Sequence, residues 1–287
     1  MPRNKSVSVI LPNYNYAKYI RSRIREVLSQ TYLVSEIIIL DDASTDGSRE
    51  IINNEVAIIK KYNPNINVVI DFNKKNSGNV FSQWQKGIEL ANSDYIWICE
   101  LDDGASSHFL EKVMFPFSDD KVVLSYCNSK IVDESGKTLL KDNLRRIKDV
   151  FRRRHNLGSY TVDGITEINR NLAVYNSIPN VSAAVFKNQS QLVSYLDKSM
   201  KYQLCGDWFF YLKVATTGKI AYCNKTLNVH RVHSGSVTSD TDFQKRYQEM
   251  QSIHNYAIKS LSLSDETIKR IRSIEAELAK KWKIKDN

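Results

Sequence analysis

The chain has 287 residues, 42% of them hydrophobic and 25% charged, with ten Gly and five Pro. At about 100–200 residues per domain this is one large domain or one domain with an appendage, and it excludes collagen-like, linker-like and staple-dependent architectures. The formal net charge of +9 fits either a solvated basic surface or an anionic partner: phosphate, anionic lipid or nucleic acid.

Ser6-Val7-Ser8-Val9-Ile10-Leu11 reads as a buried strand stopped by Pro12-Asn13. From Ala17 to Gln30, Tyr19, Ile20, Ile24, Val27 and Leu28 recur at helical spacing. Glu36 to Leu40 is a second buried strand ending in Asp41-Asp42, and Asp46 is the expected N-cap of a helix through Lys61. Ile66–Ile70 is a third strand, Asn79–Ala91 a helix, and Tyr95–Cys99 a fourth strand running into Glu100-Leu101-Asp102-Asp103. A helix over Ser107–Phe117 and a strand over Val122–Tyr126 continue the alternation.

Beyond residue 128 the pattern thins. Val181–Phe186 and Leu227–Val232 read as strands, the latter leading to His233. Asp207–Thr217 reads as a helix with aromatic residues on one side, and Asp240–Lys285 as two charged amphipathic helices split near Ser262-Leu263-Ser264. Residues 141–155 carry seven Lys/Arg against two Asp and read as exposed. Alternating strands and helices mean βαβ units and a mostly parallel sheet. Such sheets bind ligands outside the carboxyl ends of their strands, which places Pro12-Asn13-Tyr14, Asp41-Asp42 and Glu100–Asp103 around one crevice.

No two glycines have G-x-G spacing and no G-x-x-x-x-G-K-[ST] occurs, so neither the dinucleotide fingerprint nor a P-loop is present. Asp41 and Asp42 fit either a turn, accepting backbone N–H bonds, or a reader of a base N–H or ribose hydroxyl. Glu100, Asp102 and Asp103 put three carboxylates in four residues. Such crowding is unfavourable unless a cation or hydrogen-bond donors offset it, and a hard divalent ion shared with a diphosphate does so. In His230-Arg231-Val232-His233 the two histidines take opposite faces of an extended segment. The four cysteines are widely spaced without C-x-x-C, so a zinc knuckle is not expected. No apolar run reaches the roughly 18 residues of a membrane span, and no apolar core follows Met1–Lys5 as in a secretory signal. A cytoplasmic protein is the expectation.

In this order and spacing, the segments Val7–Asn15, Leu28–Tyr32, Ile38–Ser48, Asn76–Asn79, Tyr95–Asp103, Gly206–Trp208 and Arg231–Val237 resemble the family 2 inverting glycosyltransferases of GT-A fold. The resemblance covers residues 6 to about 238. It implies an α/β GT-A domain over 1–238, with a nucleotide-binding half (1–103) and an acceptor and catalytic half (104–238), followed by a C-terminal helical appendage (239–287). Pro12, Asn13 and Tyr14 match the loop against the base, Asp42 the base-reading carboxylate with Asp41 its neighbour, and Gly78 the glycine turn. Asp102 and Asp103 match the metal and ribose carboxylates, Asp207 the catalytic base beside Trp208, and His233, following Arg231, a holder of metal or diphosphate. Glu100 stands where many members have Asp, and Gln83-Trp84-Gln85 replaces the usual Ala-Arg-Asn. His230 is outside the pattern.

The resemblance further implies a nucleotide-sugar donor, Mn²⁺ or Mg²⁺ as cofactor, and a glycan or lipid-linked acceptor in bacterial surface-polysaccharide synthesis. UDP-sugars are favoured and dTDP-rhamnose is the next candidate. The 141–155 stretch or the C-terminal helices offer peripheral contact with the inner membrane face. The alternative is an inactive nucleotide- or glycan-binding module. A nucleic-acid role is not expected, since no helix-turn-helix, zinc-finger or RNP1 signature is present.

Overall fold

The computed structural model describes residues 5–141, 158–233 and 242–284. Four strands open the chain: β1 (Val7–Asn13), β2 (Glu36–Asp41), β3 (Asn67–Phe72) and β4 (Tyr95–Ile98). They pair in the order β3-β2-β1-β4, all parallel. Side chains alternate across a strand, so each apolar run serves two faces. Val7, Val9, Leu11, Ile37, Ile39 and Trp97 join Ile20, Ile24 and Val27 of α1 (Ala17–Leu28) and Ile52, Val56 and Ile59 of α2 (Ser48–Tyr62). Ile10, Ile38, Leu40, Ile96 and Ile98 join Phe81, Trp84 and Ile88 of α3 (Val80–Leu90) on the opposite face.

The sheet continues through β9 (Ala184–Lys187), β6 (Val122–Val132), β10 (Lys219–Arg231) and β5 (Gly104–Ala105). β7 (Thr138–Leu140) flanks β6 and β8 (Tyr160–Asp163) flanks β10. All pairings among the first four strands are parallel, and the second half of the sheet is mixed. β9 runs antiparallel to both β4 and β6, and β10 runs parallel to β6. Two reversals restore the direction, so β4, β6 and β10 end at the same edge as β1 and β2.

Several element boundaries differ from the sequence expectation. β1 does not stop at Pro12, because Asn13 O still accepts from Asp42 N at 2.8 Å. The N-cap of α2 is Gly47, at φ +86°, and not Asp46. The Asp46 carboxylate instead accepts from Ser48 N at 3.1 Å and Ala17 N at 2.8 Å, serving the starts of two helices. The helix expected over Ser107–Phe117 is α4 (Phe109–Met114) plus a 3₁₀ turn over Phe115–Ser118, where Pro116 supplies no N–H. Val181–Ala183 is a 3₁₀ turn before β9. β10 is much longer than Leu227–Val232, since pairing with β6 carries the polar Asn224–Thr226 segment across a bulge.

The rest is helical: α5 (Gly164–Glu167, continued as a π turn over Ile168–Leu172), α6 (Gln191–Ser199), α7 (Gly206–Ala215), α8 (Phe243–Ser260) and α9 (Asp265–Trp282). In α7, Trp208, Phe209, Phe210 and Tyr211 are all buried, so its aromatics are not confined to one side. An all-round apolar helix needs cover on every face. α8 and α9 contribute to that cover, with Tyr247, Met250, Ile253, Ala257, Ile271 and Ile274 in the same apolar cluster as Phe209 and Phe210. No described helix is long and apolar enough to cross a membrane. The basic stretch beyond Lys141 and the segment 234–241 lie outside the described residues.

Candidate active site

A cleft of about 780 Å³ opens at the carboxyl edge of the sheet. It is lined by Pro12 and Asn13 of β1 and Tyr14 just after it, by Asp42 just after β2, and by Gly78 in the loop before α3. From the loop after β4 come Glu100, Asp102 and Asp103, from the end of β10 His230 and Arg231, with His233 just beyond it, and from α7 Asp207. Segments spread over more than 200 residues of sequence thus meet in one place.

Two expected site residues are not among the lining groups. Asp41 is fully buried. It accepts from Asn13 Nδ2 at 2.7 Å, Ser44 N at 3.1 Å and Arg49 Nε at 2.9 Å, so it sets the turn after β2 and holds Asn13. Trp208 is packed away, with its indole N–H on Leu172 O at 2.6 Å and its ring edge-on to His254. Asp42 lines the cleft but is already well bonded. It accepts from Asn73 Nδ2 at 2.6 Å, Ser77 Oγ at 2.7 Å and Ser77 N at 2.9 Å, shaping the loop before α3. Gly78 lies in that loop at φ +68°, a conformation that favours glycine.

The acidic loop after β4 is held from several directions. Asp102 Oδ2 lies 3.0 Å from His233 Nε2, and Tyr16 Oη is 3.5 Å from the same nitrogen. Asp103, 8% exposed, accepts from Asn180 Nδ2 at 2.5 Å and from Arg231 N at 3.2 Å. Arg231 clamps the loop further, donating Nε to Asp102 O at 2.9 Å and Nη1 to Asp133 O at 3.0 Å. Glu100 accepts from the Trp84 indole N–H at 2.7 Å. Beneath lies Arg23, 1% exposed, with Nε on Glu100 O at 3.0 Å and its guanidinium over the Trp97 ring.

Six carboxylates (Asp42, Glu100, Asp102, Asp103, Glu134 and Asp207) line the cleft against Lys18 and Arg231. A basic chain thus carries an acidic cleft. Burial, then the charges of Asp102 and Asp103, push the Glu100 carboxyl up to about 8. Burial and Asp102 likewise raise Asp103. Burial raises Asp207 to about 6, against hydrogen bonds from Trp208 N at 2.7 Å and Asn176 Nδ2 at 3.1 Å that favour its charged form. That range suits a general base working near neutrality.

Among the described residues no group of three or more His, Cys, Asp or Glu side chains is gathered as a ready metal cage. Asp102 and His233 nevertheless offer a carboxylate oxygen and an imidazole nitrogen side by side, 3.0 Å apart as a hydrogen-bonded pair, and such a donor set suits a divalent ion. Oxygen plus imidazole donors suit Mn²⁺, and an ion completing its shell with phosphates and water needs few protein ligands.

Sequence reasoning missed Tyr16, Arg23, Asn176, Asn180 and the cleft position of His230. His230 lines the cleft with Nδ1 buried and without a hydrogen-bond partner among the described residues. His230 lies within β10, which ends at Arg231, and His233 lies beyond it, so strand alternation does not separate the two and both line the cleft.

Known proteins share the fold and part of the sequence. The profile described as "Glycosyl transferase family 2" matches residues 8–171. The putative teichuronic acid biosynthesis glycosyltransferase TuaG of Bacillus subtilis is 32% identical over 135 residues, 47% of this chain and 51% of TuaG. An uncharacterized glycosyltransferase of Rickettsia typhi is 25% identical over 267 residues, 89% of this chain and 72% of that protein. For several curated relatives the matched region spans half of their length or less. Among solved structures, S. aureus TarS 1–349 in complex with UDP-GlcNAc superposes with a TM-score of 0.67 at 17% identity, covering 96% of this chain and 73% of that one. The mannosyltransferase PcManGT from Pyrobaculum calidifontis, in complex with GDP-Man and Mn²⁺, gives 0.64 at 18%, covering 96% and 70%. At such identities these structures speak for the fold alone, and the fold is the α/β GT-A arrangement that the motifs implied. With the family profile covering more than half of its length, the chain belongs to glycosyl transferase family 2.

Proposed function

We propose that the protein is an inverting glycosyltransferase that moves a sugar from a nucleotide-diphosphate sugar to a glycan or lipid-linked acceptor in bacterial surface-polysaccharide synthesis. A UDP-sugar is the favoured donor and dTDP-rhamnose the next. The observation that carries this reading is the meeting of the Asp102–His233 pair and Asp207 in one cleft. The names of TuaG and of the TarS complex support the polysaccharide setting and the donor class. The work is assigned to the cytoplasm or the inner face of the membrane.

In this reading Pro12, Asn13, Tyr14, Asp42 and Asp102 receive the nucleoside side of the donor. Asp102, Asp103 and His233 would hold a divalent ion, Mn²⁺ or Mg²⁺, which when bound offsets the charge on the departing diphosphate. Asp207 takes the proton of an acceptor hydroxyl as its oxygen bonds to the anomeric carbon. The bond from that carbon to the diphosphate oxygen breaks with its electron pair, and the configuration inverts in one displacement. Arg231 and Asn180 keep Asp103 and the backbone of the acidic loop in place during this exchange.

The test is calorimetric titration with UDP, dTDP, GDP and CMP, with Mn²⁺ and with EDTA, together with donor turnover by Asp207→Asn. Metal-dependent binding of one nucleotide is expected. Asp207→Asn is expected to lower transfer about 10²–10⁴-fold while nucleotide affinity is retained. Loss of affinity with residual transfer removes Asp207 from the base role. No binding of any nucleotide favours an inactive glycan-binding module.

A further inference from the structure

α7 begins with an unusual support. A helix start leaves backbone N–H groups without intrahelical partners, and here Cys205, at the N-cap, supplies no side-chain cap. The N–H of Cys205, together with those of Gln203 and Leu204 in the segment that leads into the helix, converges on one carboxylate, Glu249 of α8, at 2.9, 2.8 and 2.9 Å respectively. Oε1 accepts from Gln203 and Oε2 from the other two. Glu249 is 9% exposed and does not line the cleft. The residues that it holds do so: Gln203 and Leu204 form part of the cleft wall, and Asp207 follows in the first turn of α7.

The neighbourhood reinforces this contact. Tyr202 Oη and Ser252 Oγ of α8 lie 3.1 Å apart, and Lys245 Nζ of α8 donates to Gln203 Oε1. Gly206 allows close seating, since a Cβ there would meet the Phe81 ring at 2.5 Å. The segment is thus packed against Phe81 of α3 at Gly206 and hydrogen-bonded to Glu249 of α8. Charge-assisted bonds from three successive N–H groups form a directional clamp and not a mere packing contact.

We propose that Glu249 is a positioning residue: from a helix outside the cleft it holds residues 203–205, and so sets where Asp207 meets the acceptor hydroxyl. This rests on the reading of Asp207 as the base. It also makes α8 part of the catalytic apparatus, although α8 contributes no lining residue to the cleft.

The test uses the full chain with Glu249→Gln, which keeps the volume but turns one acceptor oxygen into a donor facing N–H groups, and Glu249→Ala. Turnover is followed as nucleoside diphosphate release from whichever of UDP-GlcNAc, UDP-Glc, dTDP-rhamnose and GDP-Man the unmodified chain consumes. Amide hydrogen exchange over residues 203–207 and over β2 is followed in parallel. Expected is a kcat lowered about tenfold to a hundredfold, as for a sub-ångström to ångström misplacement of a reacting group, with donor KM unchanged. Exchange at 203–207 is expected to speed up about tenfold, with β2 unaffected. An unchanged kcat, a KM that worsens in step with kcat, or unaltered exchange at 203–207 overturns the proposal. Should Glu249→Ala not fold, Glu249→Gln carries every readout. Should Asp207→Asn stay active, the base reading fails, while the exchange result still reports whether Glu249 holds the segment.

Discussion

Asp207 illustrates how a single carboxyl acquires a working range. Burial pushes it up to about 6, and the N–H groups of Trp208 and Asn176 hold it from rising further. In the proposed role of base it must be ionised, so kcat is expected to rise with pH through about 6. Asn176→Ala removes one bond to the charged form, and the midpoint is expected to move upward by about one unit, equivalent to about 1.4 kcal/mol. A kcat–pH profile of the two proteins checks this, and an unmoved midpoint would show that Asn176 does not stabilise the ionised base. Asp207 was legible in the sequence from its Gly-Asp-Trp context. Asn176 was not, because an Asn 31 residues upstream carries no local signal and reaches Asp207 only through the turn after the π segment.

At the level of elements, Glu36 shows a carboxylate with a structural task. It lies at the start of β2, 3% exposed, and accepts from Ser8 Oγ at 2.5 Å, Asn67 Nδ2 at 2.7 Å and Asn92 N at 2.9 Å. It thereby ties β1, β2, β3 and the approach to β4 at the edge opposite the cleft. These bonds hold its carboxyl below the ordinary value of 4.5 although burial alone would raise it. A lowered value in the folded state adds stability that is full above about 4.5 and is lost as pH falls through the lowered value. Glu36→Gln is expected to cost about 1–3 kcal/mol at pH 7, with the difference shrinking in acid. Urea unfolding at pH 7 and pH 3 measures both. The strand itself was legible as an apolar run, whereas the partners of Glu36 follow from the β3-β2-β1-β4 pairing.

At the scale of the whole molecule, the C-terminal helices pack on the rest of the chain. α8 and α9 share one apolar cluster with α7 and the sheet. His254 is fully buried between Glu275, at 3.0 Å, and Val174 O, at 3.3 Å. Helices so embedded unfold with the body they cover. Ile253, fully buried on α8, provides the check. Ile253→Ala is expected to lower global stability by about 2–5 kcal/mol, in a single transition seen equally by fluorescence and circular dichroism. A separate early transition for α8 and α9 would mark them as an independent unit.

Amphipathic spacing placed both C-terminal helices and their break near Ser262–Ser264, and β-branched runs placed the first four strands, because those signals are local. The rule that parallel strands gather ligands at their carboxyl ends brought Pro12, Asp42, Asp102 and Asp103 to one crevice before any coordinates. The second half of the sheet was beyond that reach. β9 pairs antiparallel with residues of β6 and β4 that lie far earlier in the chain, Ser125 with Val185 and Ile96 with Phe186, and β10 crosses a polar bulge that hides its alternation. Only the tertiary structure separated Asp41, which supports, from Asp42, which lines, and Trp208, which packs, from Asp207, which faces the cleft. Neighbours in sequence point to opposite sides of a strand or helix. Which side is the cleft depends on what the distant chain covers, and no local pattern of residues carries that.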